Sequence, residues 1–179
     1  MLVERFPWLL EPTLLTTLIR TLLAIICAGI IGYDRDVHGA PAGLRTHILV
    51  CVGAMLAMTT GTFAHMYIGG ADPTRIGAQV VSGIGFLGAG TIIVIRYNRI
   101  SGLTTAAGLW ASACVGLAIG IGYYEGAIVG CLAILFTQHM LMGLSDSLKK
   151  KSGSYTEKYG DPEPTPAPDS KEGTDASAD

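Results

Sequence analysis

The sequence is short of charge. Aspartate, glutamate, lysine and arginine together make up 15% of 179 residues, while half of the residues are hydrophobic. The mean hydropathy is +0.47. A soluble domain of this length needs a far more charged surface to stay dissolved. Basic clusters are equally scarce. Residues 1–151 hold ten Lys and Arg against seven Asp and Glu, a net of +3 with no dense patch, which argues against a nucleic-acid partner. Residues 152–179 reverse the balance, with seven acids against two lysines and a net of −5. Cysteine pairing is absent too. Cys27, Cys51, Cys114 and Cys131 lie singly inside apolar stretches, which implies packing rather than a disulfide framework. The four histidines, His38, His47, His65 and His139, fall in separate segments. No zinc site and no Ser/His/Asp or Cys/His constellation is legible, so the chain reads as a non-enzyme with no cofactor or metal.

What is present is a set of long apolar runs. Five stretches reach the ~20 residues that a helix needs to cross about 30 Å of hydrocarbon. They lie at 12–33, 46–66, 76–95, 104–122 and 126–144. The first is too long for the core of a cleavable signal, about 7–15 residues, and Glu4 balances Arg5, so it is expected to be retained. Arg35 and Arg45, Arg96 and Arg99, and Lys149 to Lys151 fall in alternate connections. The positive-inside bias then puts the N-terminus outside and the C-terminus in the cytoplasm. Tyr33, Tyr67, Tyr97 and Tyr123 sit at the expected span ends, where interfacial aromatics belong. The expectation is an all-α integral membrane protein, a bundle of five transmembrane helices over residues 1–151. Residues 152–179 form an acidic tail with four prolines, too poor in apolar residues to offset the entropy of ordering, and are expected to be disordered.

Small residues recur inside the spans. Gly116-x-x-x-Gly120, Gly126-x-x-x-Gly130 and Ala57-x-x-x-Gly61 have the spacing that lets helix backbones approach closely. That spacing suits packing within one chain and a homo-oligomer alike. Gly83-Ile84-Gly85-Phe86-Leu87-Gly88 matches a dinucleotide-binding fingerprint by letter, but it sits in an apolar run and no carboxylate follows at 98–105. Close helix contact is the preferred reading of Gly83, Gly85, Gly88 and Gly90; a locally unwound helix lining a polar cavity is the alternative. Gln79, Ser82, Thr91, Thr104 and Thr105 read as interhelical hydrogen bonders.

Arg20 is the sharpest oddity. A central intramembrane Arg costs near ~2.5–3.5 kcal/mol on insertion scales, so Arg20 is expected to face protein or water and to have a partner. Snorkelling to the outer interface is the other reading. Fourteen residues of helix, roughly 21 Å, separate it from Asp34, so the partner must lie on another helix. Gln79, Ser82 and the carbonyls of 83–90 are the candidates. Asp34, Arg35 and Asp36 are expected to open the first cytoplasmic loop and Arg45 to close it. Gly39, Pro41 and Gly43 between them would allow an Asp34–Arg45 ion pair.

These same residues carry a resemblance. Arg20-Thr-Leu-Leu-Ala, Gly29-Ile-Ile-Gly32-Tyr-Asp-Arg35 and Ala42-Gly-Leu-Arg-Thr-His47 form the first blocks. Arg75 to Gly90 and Gly102-Leu-Thr-Thr-Ala-Ala-Gly-Leu-Trp-Ala-Ser-Ala113 form the others. Together they cover most of residues 18–125 in order, and they resemble the MgtC/SapB membrane-protein family. The resemblance implies a multi-pass bacterial inner-membrane protein linked to growth in low magnesium and, in some pathogens, to survival inside macrophages. It implies a regulator or accessory factor in magnesium homeostasis, with the lipid bilayer around it and the rotary ATP synthase or another membrane protein as partner. A homo-oligomeric transporter or channel for magnesium or another small solute is the alternative. The family usually has Glu where Asp34 stands, and its MgtC branch carries a folded cytosolic domain in place of the tail. The candidate functional residues are Arg20, Asp34, Arg35, Arg45, Gln79, Ser82, Gly83, Gly85, Gly88, Gly90, Thr104 and Thr105.

Overall fold

The computed structural model describes residues 5–69, 72–95 and 99–139; the acidic tail and Lys149 to Lys151 lie outside these residues. Among the described residues a short 3-10 turn, Pro7–Leu10, precedes α1 (Leu14–Val37), α2 (Leu44–Tyr67) and α3 (Arg75–Thr91). A hairpin of β1 (Ile93–Ile95) and β2 (Arg99–Ser101) leads into α4 (Leu103–Ile121) and α5 (124–139). Among the described residues three helices, α1, α2 and α4, are long and apolar enough to cross a membrane. α3 has 17 residues, about 26 Å at 1.5 Å per residue, which is less than the hydrocarbon thickness.

Local chemistry sets the helix ends. Thr13 and Thr16 form a reciprocal capping box at the start of α1. The helix does not stop before Asp34 as hydropathy suggests; it continues to Val37, so Asp34, Arg35 and Asp36 occupy its last turn. Charge does not break a helix. The chain turns only where Gly39 adopts φ 65°. Asp36 then reaches across the loop and its Oδ2 accepts the Leu44 N–H at 2.9 Å, capping α2 from outside. Gly43, the residue before α2, has no room for a side chain, because a Cβ there would collide with the Asp36 carboxylate. Between α2 and α3, Asp72 accepts both the backbone N–H and the hydroxyl of Thr74, at 2.8 and 2.7 Å. Those bonds hold its carboxyl below the ordinary value.

The stretch expected as one span over 76–95 divides. α3 ends at Thr91, Ile92 is extended (φ −87°, ψ 117°), and Ile93 pairs with Ser101 and Ile95 with Arg99 in an antiparallel hairpin. Ile92, Ile93, Val94 and Ile95 are all β-branched, a run that favours extended backbone although its hydropathy equals that of a helix. Gly102, at φ 93°, brings the chain back against the Thr91 carbonyl where no side chain fits.

The core joins all five helices. Ala24, Cys27, Ala28 and Ile31 of α1 pack with Cys51 and Met55 of α2, Val115 and Ile119 of α4, and Ala127 and Cys131 of α5. A second cluster, Ala54, Ile84 and Ala113, ties α3 to α2 and α4. All four cysteines are free thiols. Outward-facing side chains are large and apolar, including Leu14, Leu18, Leu22, Ile26 and Ile30 along α1, the inverse of a water-soluble bundle. Tyr67 and Tyr123 are exposed at helix ends.

The glycines differ sharply in what surrounds them. Gly116 and Gly120 lie against the α2 backbone at Cys51 and Met55, so this small-residue motif is used inside the chain. Gly61 meets the Pro73 carbonyl, whereas Gly83, Gly85 and Gly90 have open space. Gly120→Ala would push a methyl to 2.5 Å from the Met55 carbonyl oxygen and 2.7 Å from the Met58 Cβ. It should destabilise the solubilised bundle by about 1–3 kcal/mol. Gly83→Ala meets nothing and should be neutral or gain up to ~1 kcal/mol from helix propensity. Thermal unfolding in mild detergent checks the pair; equal melting temperatures would contradict the assigned contacts.

Candidate functional site

Arg20 lies two turns into α1 and is wholly buried. Its Nε donates to the Tyr124 hydroxyl at 3.1 Å. Nη1 donates to the Gly120 carbonyl at 2.9 Å and to Thr59 Oγ1 at 3.5 Å. Nη2 donates to the carbonyls of Leu9 and Leu10 at 2.8 and 3.2 Å. A guanidinium has five N–H donors in a rigid fork, and all five are used. Thr59 and Tyr124 extend the network by donating to Gly120 and Leu9, at 3.3 and 3.0 Å.

The acceptors are free because helices end here. The last carbonyls of any helix lack intrahelical partners. α4 stops at Ile121 because Gly122 takes φ 92°, and the N–H groups of Gly122 and Tyr123 turn back onto Ala118 and Ile119. The Gly120 carbonyl is left for Arg20. The Pro7–Leu10 turn ends at an extended Glu11, whose N–H returns to the Trp8 carbonyl, and leaves the carbonyls of Leu9 and Leu10 free for Arg20. The positive fork therefore sits at the negative end of the α4 dipole, which stabilises a cation there. Arg20 is internal and does not snorkel. Its partners are not the expected ones: Gln79 and Ser82 lie on the exposed side of α3, and residues 83–90 stay helical. Of the four glycines at 83, 85, 88 and 90 only Gly88 is buried, against Ala106.

The other end of α1 carries a second polar group. The expected Asp34–Arg45 ion pair is not present among the described residues, and Arg45 is exposed. Asp34 is buried, and its Oδ1 lies 3.0 Å from His139 Nε2 and 3.5 Å from His38 Nδ1. His38 Nδ1 also bonds the Asp34 carbonyl at 2.7 Å, and the two imidazoles meet edge to face with centroids 6.1 Å apart. Asp34, expected to pair with Arg45, is thus brought together with two histidines read as lying in separate segments. The Asp34/His38 spacing of four on a helix was a usable signal; nothing marks His139. Arg35 is also buried.

His47 was likewise undervalued. It is fully buried beneath the loop, and its Nδ1 lies 2.8 Å from Ser112 Oγ of α4. Thr105 is buried on the same helix, whereas Thr104 is exposed and lines a cleft of about 270 Å³ between α4 and α5. The sequence pattern of the MgtC family matches residues 21–146. The chain is 42% identical over 140 residues to an Escherichia coli K12 protein named "Putative magnesium transporter YhiD", covering 75% of this chain and 65% of that one. It is 43% identical over 126 residues to protein MgtC of Brucella abortus, covering 70% and 51%. To protein SapB of Bacillus subtilis it is 36% identical over 140 residues, covering 75% and 59%. The chain thus spans about half to two thirds of the length of these relatives. No solved structure matches it significantly.

Lysine has three donors where arginine has five. Arg20→Lys should leave two of the five acceptors without their bond to residue 20, at a cost of up to ~1–3 kcal/mol each. Arg20→Met removes the charge, strands the Leu10 carbonyl and leaves those of Leu9 and Gly120 with Tyr124 and Thr59 alone, and should cost more than Arg20→Lys. Melting temperatures in detergent test the order. An Arg20→Met protein as stable as the parent would show that the fork holds nothing together.

Proposed function

The chain belongs to the MgtC family, and on that premise we propose that it is a non-enzymatic, multi-pass protein of the bacterial inner membrane. It acts as a regulator or accessory factor in magnesium homeostasis, through another membrane protein. Magnesium enters the reading through the name of the Escherichia coli relative. The five apolar runs of the sequence support five crossings, and the loop arginines and lysines, under the positive-inside bias, support an N-terminus outside. The Arg20 centre then lies toward the outer leaflet and the Asp34 group toward the cytoplasm. A reporter that works in the cytoplasm when fused near Ile68 would overturn this orientation.

The observation that favours regulation over transport is Arg20. A path for Mg²⁺ needs oxygen ligands to replace its tightly held water. At this end of the bundle the carbonyls of Leu9, Leu10 and Gly120 are already directed onto a fixed guanidinium. Two unit charges 4 Å apart repel by ~4 kcal/mol at an effective dielectric of 20, and a divalent ion doubles that. The cluster is built to hold a helix junction in place, which suits a protein that acts by contact.

Purified full-length chain in liposomes, loaded with a magnesium-sensitive dye, tests the reading. The expected result is uptake no faster than in protein-free vesicles, while the same gene restores growth of a responsive host in low magnesium. Saturable uptake dependent on the protein would replace the regulator with the transporter that the relative's name describes.

A further inference from the structure

α3 is held to the bundle by a single stripe. Of its 17 residues only Gly77, Ile84 and Gly88 are buried, against α2 and α4. At 3.6 residues per turn, Gln79, Ser82, Gly83, Phe86 and Gly90 fall within an arc of roughly 100° on the opposite side, and all five are exposed. This face is unlike the lipid-facing side of α1, where Leu14, Leu18, Leu22, Ile26 and Ile30 point outward. It offers an amide, a hydroxyl and two glycines, with Phe86 as its one large apolar side chain. Lipid tails gain nothing from such a surface, whereas contacts between membrane helices are rich in small and polar residues.

The polar groups need a partner. Counted from Arg75, Gln79 and Ser82 lie about 6 and 10 Å along the helix axis. Neither side chain makes a hydrogen bond among the described residues, and hydrocarbon supplies none.

The contour of the face suits a second copy in particular. Phe86 is 84% exposed, the most of any large hydrophobic residue described. Gly83 and Gly90 lie about one turn before and after it, and a Cβ at either would meet nothing within 4 Å. A projection between two hollows at one-turn spacing is its own complement about a two-fold axis. The hydrogen bonding is self-complementary as well, because a primary amide and a hydroxyl each donate and accept. No charged residue lies between Gln79 and Gly90, so two copies meet there without repulsion of like charges.

We infer that two copies of the chain pair through α3, the helices crossing near Gly83. Phe86 of each copy sits over a glycine of the other, and Gln79 and Ser82 bond across the axis. This pairing rests on the reading of the chain as membrane-spanning.

Ser82→Cys places a thiol at the centre of the face, and Leu22→Cys places one on the outer side of α1. Each full-length variant is treated in native membranes with a mild thiol oxidant, and covalent dimer is measured after denaturation. Ser82→Cys should give most of its chain as dimer, and Leu22→Cys no more than the parent. Adding Gln79→Leu to Ser82→Cys should lower the yield about tenfold, the worth of one strong interhelical hydrogen bond. Adding Gly83→Leu, which meets open space within one chain but fills the hollow between two, should abolish it. If Gly83→Leu fails to fold, Gln79→Leu decides. Equal yields from Ser82→Cys and Leu22→Cys overturn the pairing, as does a yield that Gln79→Leu leaves unchanged. So does a crosslink from Ser82→Cys to a different membrane protein in place of a second copy. Washing the membranes with alkaline carbonate separates the two failures. A chain that stays in the membrane without the crosslink refutes the pairing alone, and a chain that washes out refutes the membrane reading with it.

Discussion

A guanidinium placed where water is scarce must find five acceptors or lose much of its hydration energy. Arg20 finds them by drawing together chain segments that are far apart in sequence: the Pro7–Leu10 turn, Thr59 of α2, the end of α4 and Tyr124 at the start of α5. The dependence runs both ways. Those helix ends have carbonyls with no partner of their own, and in a bilayer nothing but protein can satisfy them. One side chain therefore answers two deficits, and α1 is fixed against α2, α4 and α5 at a single point.

The tight contact of α2 with α4 makes that arrangement possible. Gly116 and Gly120 allow the α4 backbone to rest on α2 at Cys51 and Met55. Gly120 serves twice, since the close approach it permits carries its carbonyl to Arg20 and Thr59. At the opposite end the glycines of the loop play a comparable part: Gly43 makes room for the Asp36 carboxylate, and Gly32 accepts the start of α2 against its Cα. Both ends of the bundle thus combine a glycine-permitted approach with a charged side chain that satisfies backbone groups.

Much of this was legible in the sequence. The apolar runs gave three of the helices and the start of the last to within a few residues, and Arg20 stood out because it is the one charged residue in its run. Its partners did not stand out, because most of them are backbone carbonyls, which every residue has. Their availability depends on where helices end, and the useful clue was Gly122 following an apolar run. The division of 76–95 escaped because hydropathy is blind to β-branching at Ile92 to Ile95. The extension of α1 through Asp34, Arg35 and Asp36 escaped because charge was taken as the end of the helix, whereas Gly39 supplies it. His139 joins Asp34 across 105 positions, a pairing no local pattern encodes.

The central claim is that Arg20 and the helix ends around it act as one unit, and a double-mutant cycle tests it most directly. Arg20→Lys, Tyr124→Phe and the double variant would be compared with the parent by reversible unfolding in mild detergent. Because Arg20 Nε and Tyr124 Oη share a buried hydrogen bond and Tyr124 passes it on to Leu9, the two losses should overlap, with a coupling of roughly 0.5–3 kcal/mol. Strict additivity of the two single losses would contradict the account.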